Sequence, residues 1–334
     1  MKITRVLILA AILCAAFAAW LSYQGNNTGY AVPGSHLIKI KNGMSTDEIA
    51  ELLHKAGLVK NPSAFKIEAR INGLADKLQA GAYQIEGGLT NRLIFDTLTK
   101  GKISTVSFVV PEGFTVAKTA KKLEAEGLGK AEKFLALAKD YAPFDYMRDN
   151  TQTVIYRAEG FIFPATYEFP VDVTEKEILE ACVKQFDMEI RAAGIVKAAE
   201  ERGMKIFDVV NIASMVELEA VYREEQPRIA GVFLKRMEVG MPIQSDTTIQ
   251  YILGEQKEIV TFKDTEIDSP YNTYKHPGLP PGPIGSPGIG AMKAVLQPEK
   301  TDYLYFVAEK NGHHRFTKTY NEHLQAIKDI DGGK

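Results

Sequence analysis

The run from Val6 to Tyr23 constrains this chain more than any other segment. It holds 18 residues without a charge, preceded by Lys2 and Arg5. As a helix it spans about 27 Å, enough to cross the hydrocarbon core of a bilayer. Basic residues ahead of such a run keep the N-terminus in the cytoplasm and place the rest of the chain outside. The competing reading is a cleaved leader with Ala16-Phe17-Ala18 as its small-residue site, and hydropathy does not separate the two. Both readings make the folded part extracytoplasmic. Cys14 lies inside the run, but the bulky Leu13 before it argues against lipidation, and no disulfide to Cys182 is expected.

The 334 residues are 45% hydrophobic and 25% charged, which is ordinary for a globular chain of two or three domains. A net charge of −2 with scattered basic residues excludes a general field for nucleic acid. After residues 1–5 and the span 6–23, residues 24–35 are Gly, Asn, Thr and Pro-rich and read as a tether. A weak repeat comes next. Leu37–Lys41 alternates like a strand, Ser45 opens a capping box, and Gly57-Leu58 ends a helix. Seventy residues later Phe108–Gly113, Thr115 and Gly127-Leu128 repeat the plan, with Ala50 matching Ala120 and Leu53 matching Leu123. Residues 36–101 and 102–150 are therefore expected to be two small strand–helix–helix modules. The stretch Glu159–Pro170 is aromatic and Pro-punctuated, is expected to be irregular, and marks a third domain over 151–334. Helices and strands mix without a βαβ rhythm, so the expected fold class is α+β.

Within the third domain, Ile206–Ala220 has a helical period. Ile206, Val209, Val210, Ala213, Val216 and Ala220 share one arc, and Glu217 falls inside it. Glu219 projects about 200° away, towards Asp208 and an expected wet side. A carboxyl removed from water keeps its proton to higher pH and can deliver it to a leaving oxygen. The alternative is a structural Glu paired with Arg223, Arg228 or Arg236.

The loop from Ser269 to Pro287 is rich in Pro and Gly and carries Tyr271, Asn272, Thr273 and Tyr274. Aromatic faces beside amides and hydroxyls suit a sugar, while a rigid loop covering the core gives the same composition. Gln244, Ser245 and Asp246 precede an apolar helix start. Ser245 or Asp246 is an expected N-cap, and Gln244 a candidate for facing a cleft. His313 and His314 are expected on the surface of a hairpin around Asn311-Gly312. No zinc-type spacing, P-loop, dinucleotide fingerprint or nucleophile elbow is present, so neither metal nor cofactor is expected.

Several segments together resemble one family. They are Glu159–Tyr167, Ala213–Glu219, Ile229–Arg236, Gln244-Ser245-Asp246, Tyr271–Tyr274, Gly278–Ile284 and Tyr303–Val307. In this order they resemble the endolytic murein transglycosylases, the YceG-like or MltG family. The family pattern has Lys after the catalytic Glu, where this chain has Leu218. The resemblance implies a single-pass anchor in the bacterial cytoplasmic (inner) membrane. It also implies a LysM-like glycan-binding module over 36–101, a catalytic domain over 151–334 and Glu217 as the acid/base. The implied reaction cuts the MurNAc–GlcNAc bond of peptidoglycan strands and forms 1,6-anhydro-MurNAc ends. The resemblance further implies a place beside peptidoglycan synthases. Gln244, Ser245, Asp246, Tyr271, Asn272, Thr273, Tyr274 and Glu219 are the expected substrate contacts. The rival readings are a lysozyme-like hydrolase using Glu217 and Asp246, and a non-enzymatic wall-binding scaffold.

Overall fold

The computed structural model describes residues 2–27, 30–101, 104–148, 153–255, 257 and 259–332. It is a mixed α+β structure with two compact units. One comprises Met1–Ser107 with Glu168–Val173, the other Phe108–Tyr167 with Thr174–Lys334.

The first unit begins with helix α1 (Lys2–Gly25), whose Val6–Gly25 portion is long and apolar enough to cross a membrane. The chain beyond it is not a free tether. Asn27 is fully buried, donates to Leu89 O at 2.8 Å and Asn91 Oδ1 at 3.1 Å, and accepts from the Lys60 N–H at 2.8 Å. One side-chain amide, indistinguishable from other polar loop residues in sequence, fixes this segment by satisfying groups that burial would leave unpaired. Next come β1 (Ser35–Ile40), α2 (Thr46–Lys55), α3 (Pro62–Ile71), β2 (Gly81–Glu86) and α4 (Asn91–Lys100). The two strands pair antiparallel from Ser35↔Glu86 to Ile40↔Gly81. Period-2 alternation turns Ile38, Ile40, Tyr83 and Ile85 inward onto Leu53, Phe65 and Phe95. Ser45 and Glu48 form the expected capping box of α2.

The same plan recurs in β3 (Thr105–Val110), α5 (Val116–Ala125), α6 (Ala131–Asp140) and β4 (Ala165–Pro170), with β3 hydrogen-bonded to β4. Each first helix ends on a glycine of positive φ, Gly57 or Gly127, followed by Leu58 N–H to Leu53 O or Leu128 N–H to Leu123 O. Ala50, Ala120, Leu53 and Leu123 are all fully buried. The expectation of an irregular Glu159–Pro170 needs correction, because its second half is strand β4. Tyr167 and Phe169 turn inward there while Glu168 faces out, a period of two hidden among aromatic neighbours.

The second unit continues with α7 (Glu175–Ala192) and α8 (Ile195–Glu201), separated at Gly194, then α9 (Ile206–Glu219) and α10 (Gln226–Glu238). Beyond these lie α11 (Asp246–Leu253), α12 (Phe262–Thr265) and α13 (Ile289–Leu296). The hairpin β5 (Tyr305–Ala308) and β6 (His314–Thr317) and helix α14 (Tyr320–Asp331) complete it. Helices α9, α10 and α13 pack on one another at the centre. Burying a side chain such as Phe233 or Ile212 there stabilises by about 1.5–3 kcal/mol. The expected wet side of α9 is absent, since every residue from Val209 to Val216 is buried. The Pro-rich loop covers it, with residues 281–288 all buried. Asn211 Nδ2 donates to Pro280 O at 2.8 Å, and the Ile284 N–H donates to Ser214 Oγ at 3.0 Å.

Candidate active site

Helix α9 brings two carboxyls to its last turn and sends them to different surroundings. Glu217 is half-buried and accepts the Gly288 N–H, at the start of α13, at 3.0 Å. Burial pushes its carboxyl above the usual range, the backbone donor opposes this, and the Glu112 charge adds to the rise while Arg223 subtracts from it. Glu112 and Arg223 form an ion pair at 2.5 Å. The neighbours of Glu217 therefore comprise one backbone donor and one charge pair, and Arg223 pairs with Glu112 rather than directly with Glu217.

Glu112 is the group that sequence reasoning missed. It sits in the turn after β3, with no periodic pattern to mark it. Gly113 adopts φ +74°, and its N–H donates to Ser286 O at 2.8 Å while the Ser286 N–H donates to Phe114 O at 2.8 Å. A Cβ on Gly285 would stand 2.9 Å from the Gly113 carbonyl oxygen, so the two loops meet this closely only because residue 285 has none. Leu218 rests against the same pair of glycines.

Glu219, expected on a wet face, is enclosed. Ser245 Oγ donates to it at 2.5 Å, and burial raises its carboxyl pKa, with the Asp246 charge adding to the rise. Ser245 stands at the N-cap position of α11 without a capping bond, because its hydroxyl is turned to Glu219. Tyr274 donates its phenol to Asp246 Oδ1 at 2.5 Å. Asp246 thus belongs with Glu219 and Tyr274, and Glu112 is the carboxylate that faces Glu217. Gln244 is exposed and holds φ +52°, a conformation rarely adopted by a side-chain-bearing residue. Glu219, Gln244, Asp246 and Tyr274 line one cavity of about 450 Å³.

Four expected substrate contacts are instead buried and committed to the fold. Ser245 is one. Tyr271 is 2% exposed and accepts the Ile155 N–H at 3.4 Å. Asn272 is fully buried and donates to Thr265 O at 2.9 Å and Ile267 O at 2.7 Å. Thr273 accepts the Ser245 N–H at 3.1 Å and pairs with Thr248 Oγ1 at 3.0 Å. The polar side chains of Ser245, Tyr271 and Thr273 are accounted for by partners distant in sequence, and that of Asn272 by carbonyls of the preceding turn. The hairpin histidines also differ from expectation. His314 is buried with Nδ1 2.7 Å from Glu225 Oε2, and His313 stacks on Tyr222 at 3.9 Å while facing the other oxygen of Glu225.

Comparison with known proteins bears on what this arrangement serves. The YceG-like family profile matches residues 38–329. The chain belongs to the YceG-like family. The endolytic murein transglycosylase of Bacillus subtilis (strain 168) is 33% identical over 301 residues, covering 86% of this chain and 83% of that protein. The Streptococcus pneumoniae (serotype 2, strain D39) protein of the same name is 30% identical over 316 residues. That match takes in 86% of this chain but 56% of the pneumococcal protein, so this chain spans little more than half of its length. A crystal structure of a YceG-like protein from Listeria monocytogenes has a TM-score of 0.62 and 32% identity, covering 88% of this chain and all of that one.

Proposed function

We propose that this chain is a membrane-tethered endolytic murein transglycosylase with Glu217 as its acid and then its base. The observation that carries the assignment of Glu217 is its half-buried carboxyl, held by one backbone N–H and shadowed by the Glu112 charge. Such a group keeps its proton nearer to neutrality than an exposed glutamate. Glu217 protonates the glycosidic oxygen between MurNAc and GlcNAc as the anomeric C–O bond breaks. The C6 hydroxyl of the same MurNAc then attacks the anomeric carbon, and its proton passes to the Glu217 carboxylate. The acid is restored, no water is consumed, and the product is a 1,6-anhydro ring beside a free hydroxyl. One carboxyl suffices because the nucleophile is intramolecular and starts at high effective concentration.

The cavity lined by Glu219, Gln244, Asp246 and Tyr274 supplies substrate contacts outside the reacting bond. Helix α1 is the single-pass anchor in the bacterial cytoplasmic membrane, with its N-terminus inside and the folded units on the wall side. Residues 36–101 serve as a LysM-like glycan-binding module, a role supported by the separate core of the β1–α2–α3–β2 plan. Residues 151–334 carry the catalytic residues, and peptidoglycan synthases are the expected neighbours at the membrane.

The presence of Glu112 gives the hydrolytic reading a specific basis, since two carboxylates about one bond are the usual equipment of hydrolases. Product mass separates the two reactions, because anhydro ends lack one water. Purified glycan strands treated with the wild type should give anhydro-terminated fragments, and Glu217→Gln should give none while retaining its fold. Reducing ends from the wild type would favour hydrolysis instead.

A further inference from the structure

The 450 Å³ cavity beyond Glu219 also holds a buried cation. Arg236, on the last turn of α10, lines it and is only 8% exposed. Its Nε donates to Leu304 O at 2.5 Å, and its Nη1 donates to Ile243 O at 2.6 Å and Pro242 O at 3.3 Å. Nη2 donates to no group, and no carboxylate pairs with the guanidinium, among the described residues. Three carbonyls thus hold the fork still and leave Nη2 without a partner on a side chain that lines the cavity. The Tyr305 ring lies 5.1 Å from the guanidinium, and His323 stacks on that ring at 5.3 Å with its Nδ1 buried and unpartnered. A buried cation without a counter-ion is costly, and a planar fork with open donors matches a carboxylate.

The same cavity is also lined by Glu219 and Asp246, whose oxygens already receive the Ser245 and Tyr274 hydroxyls. These carboxyls retain lone pairs for N–H donors. A fixed guanidinium and two accepting carboxyls lining one cavity of about 450 Å³ suit an amino-acid unit that carries both a carboxylate and amide or ammonium groups. We propose that this cavity binds the carboxylate-bearing peptide branch of the peptidoglycan substrate, with Arg236 holding the carboxylate. The proposal rests on the assigned substrate and specifies which part of it the cavity reads. The peptide, rather than the sugar, then sets how a strand is registered against Glu217.

The test is calorimetric titration of the full chain in detergent with muramyl dipeptide, which has a free carboxylate, and with its methyl ester. The acid should bind at least tenfold more tightly than the ester. Ala308→Trp, which fills the exposed lip of the cavity, should weaken the acid at least tenfold, and Arg236→Gln should remove the preference for acid over ester. Should Arg236→Gln fail to fold, the ligand pair and the Ala308 variant still decide. Equal binding of acid and ester, no binding of either, or an acid affinity unmoved by Ala308→Trp would overturn the proposal. Cleavage of glycan strands is scored separately. Loss of the assigned reaction alongside an intact acid preference would fault the reaction and leave this site standing.

Discussion

The backbone N–H of Gly288 meets the Glu217 carboxyl at 3.0 Å, so the acid on α9 is tied to the residue that caps α13. Helices α9 and α13 pack directly on each other in the core. The orientation of the acid is therefore set by buried packing rather than by a mobile surface contact, and single substitutions can perturb its parts one at a time.

Glu112 acts on Glu217 through charge. Its negative charge raises the Glu217 pKa, and Arg223 lowers it. Glu112→Gln should move the alkaline limb of the rate–pH profile to lower pH, because the acid form of Glu217 is lost sooner. Arg223→Gln should move it to higher pH. Rates measured across the pH range would show the two limbs shifting in opposite directions. Unmoved limbs in both variants would remove the pair from the mechanism.

Gly285→Ala should destabilise the fold by about 1–3 kcal/mol through overpacking. The added methyl would stand 2.9 Å from the Gly113 carbonyl oxygen. The turn that must yield also carries Glu112, so activity should fall along with the melting temperature. A variant as stable and active as the wild type would show that the two loops do not approach this closely.

Asn272→Ala should cost about 1–3 kcal/mol, since the part-buried carbonyls of Thr265 and Ile267 lose the donor that the fully buried Asn272 supplies. Chemical denaturation would measure the loss. The products released from glycan by the folded fraction should be unchanged, as the side chain is fully buried. A changed product pattern at undiminished stability would return Asn272 to the substrate contacts.

Glu159 makes stability depend on pH. It is buried, accepts the Val116 N–H at 2.9 Å and the Tyr251 hydroxyl at 3.1 Å, and burial lifts its pKa from 4.5 to about 8. Between these values the folded chain holds a proton that the unfolded chain has released. The contribution is full below about 4.5 and is lost as the pH rises towards about 8, at up to about 1.4 kcal/mol per unit. Glu159→Gln cannot titrate, so its stability should vary less than that of the wild type over this window. Parallel curves for the two proteins would contradict the assignment.

Much of this arrangement is legible in sequence where the signal is local. Helix α13 is bracketed by Gly288 and Pro298 around an apolar run broken only by Lys293, and the Ser45 capping box announces α2. Glu217 stands out because a charge on an apolar arc is conspicuous. What local pattern cannot supply is the identity of the covering partner. Glu219 reads as solvated only if nothing lies over α9, whereas Ser245 and the cavity walls enclose it. Glu112 lies more than a hundred residues before Glu217 in a turn without periodicity. Asn272 and Thr273 have the composition of a sugar site, and only the three-dimensional structure shows their amide and hydroxyl already taken.

The most direct measurement is the mass of the fragments released from purified glycan strands by the wild type and by Glu217→Gln. Fragments ending in 1,6-anhydro-MurNAc are expected from the wild type, and none from a Glu217→Gln protein that folds normally. Anhydro fragments released by Glu217→Gln at the wild-type rate would contradict this expectation.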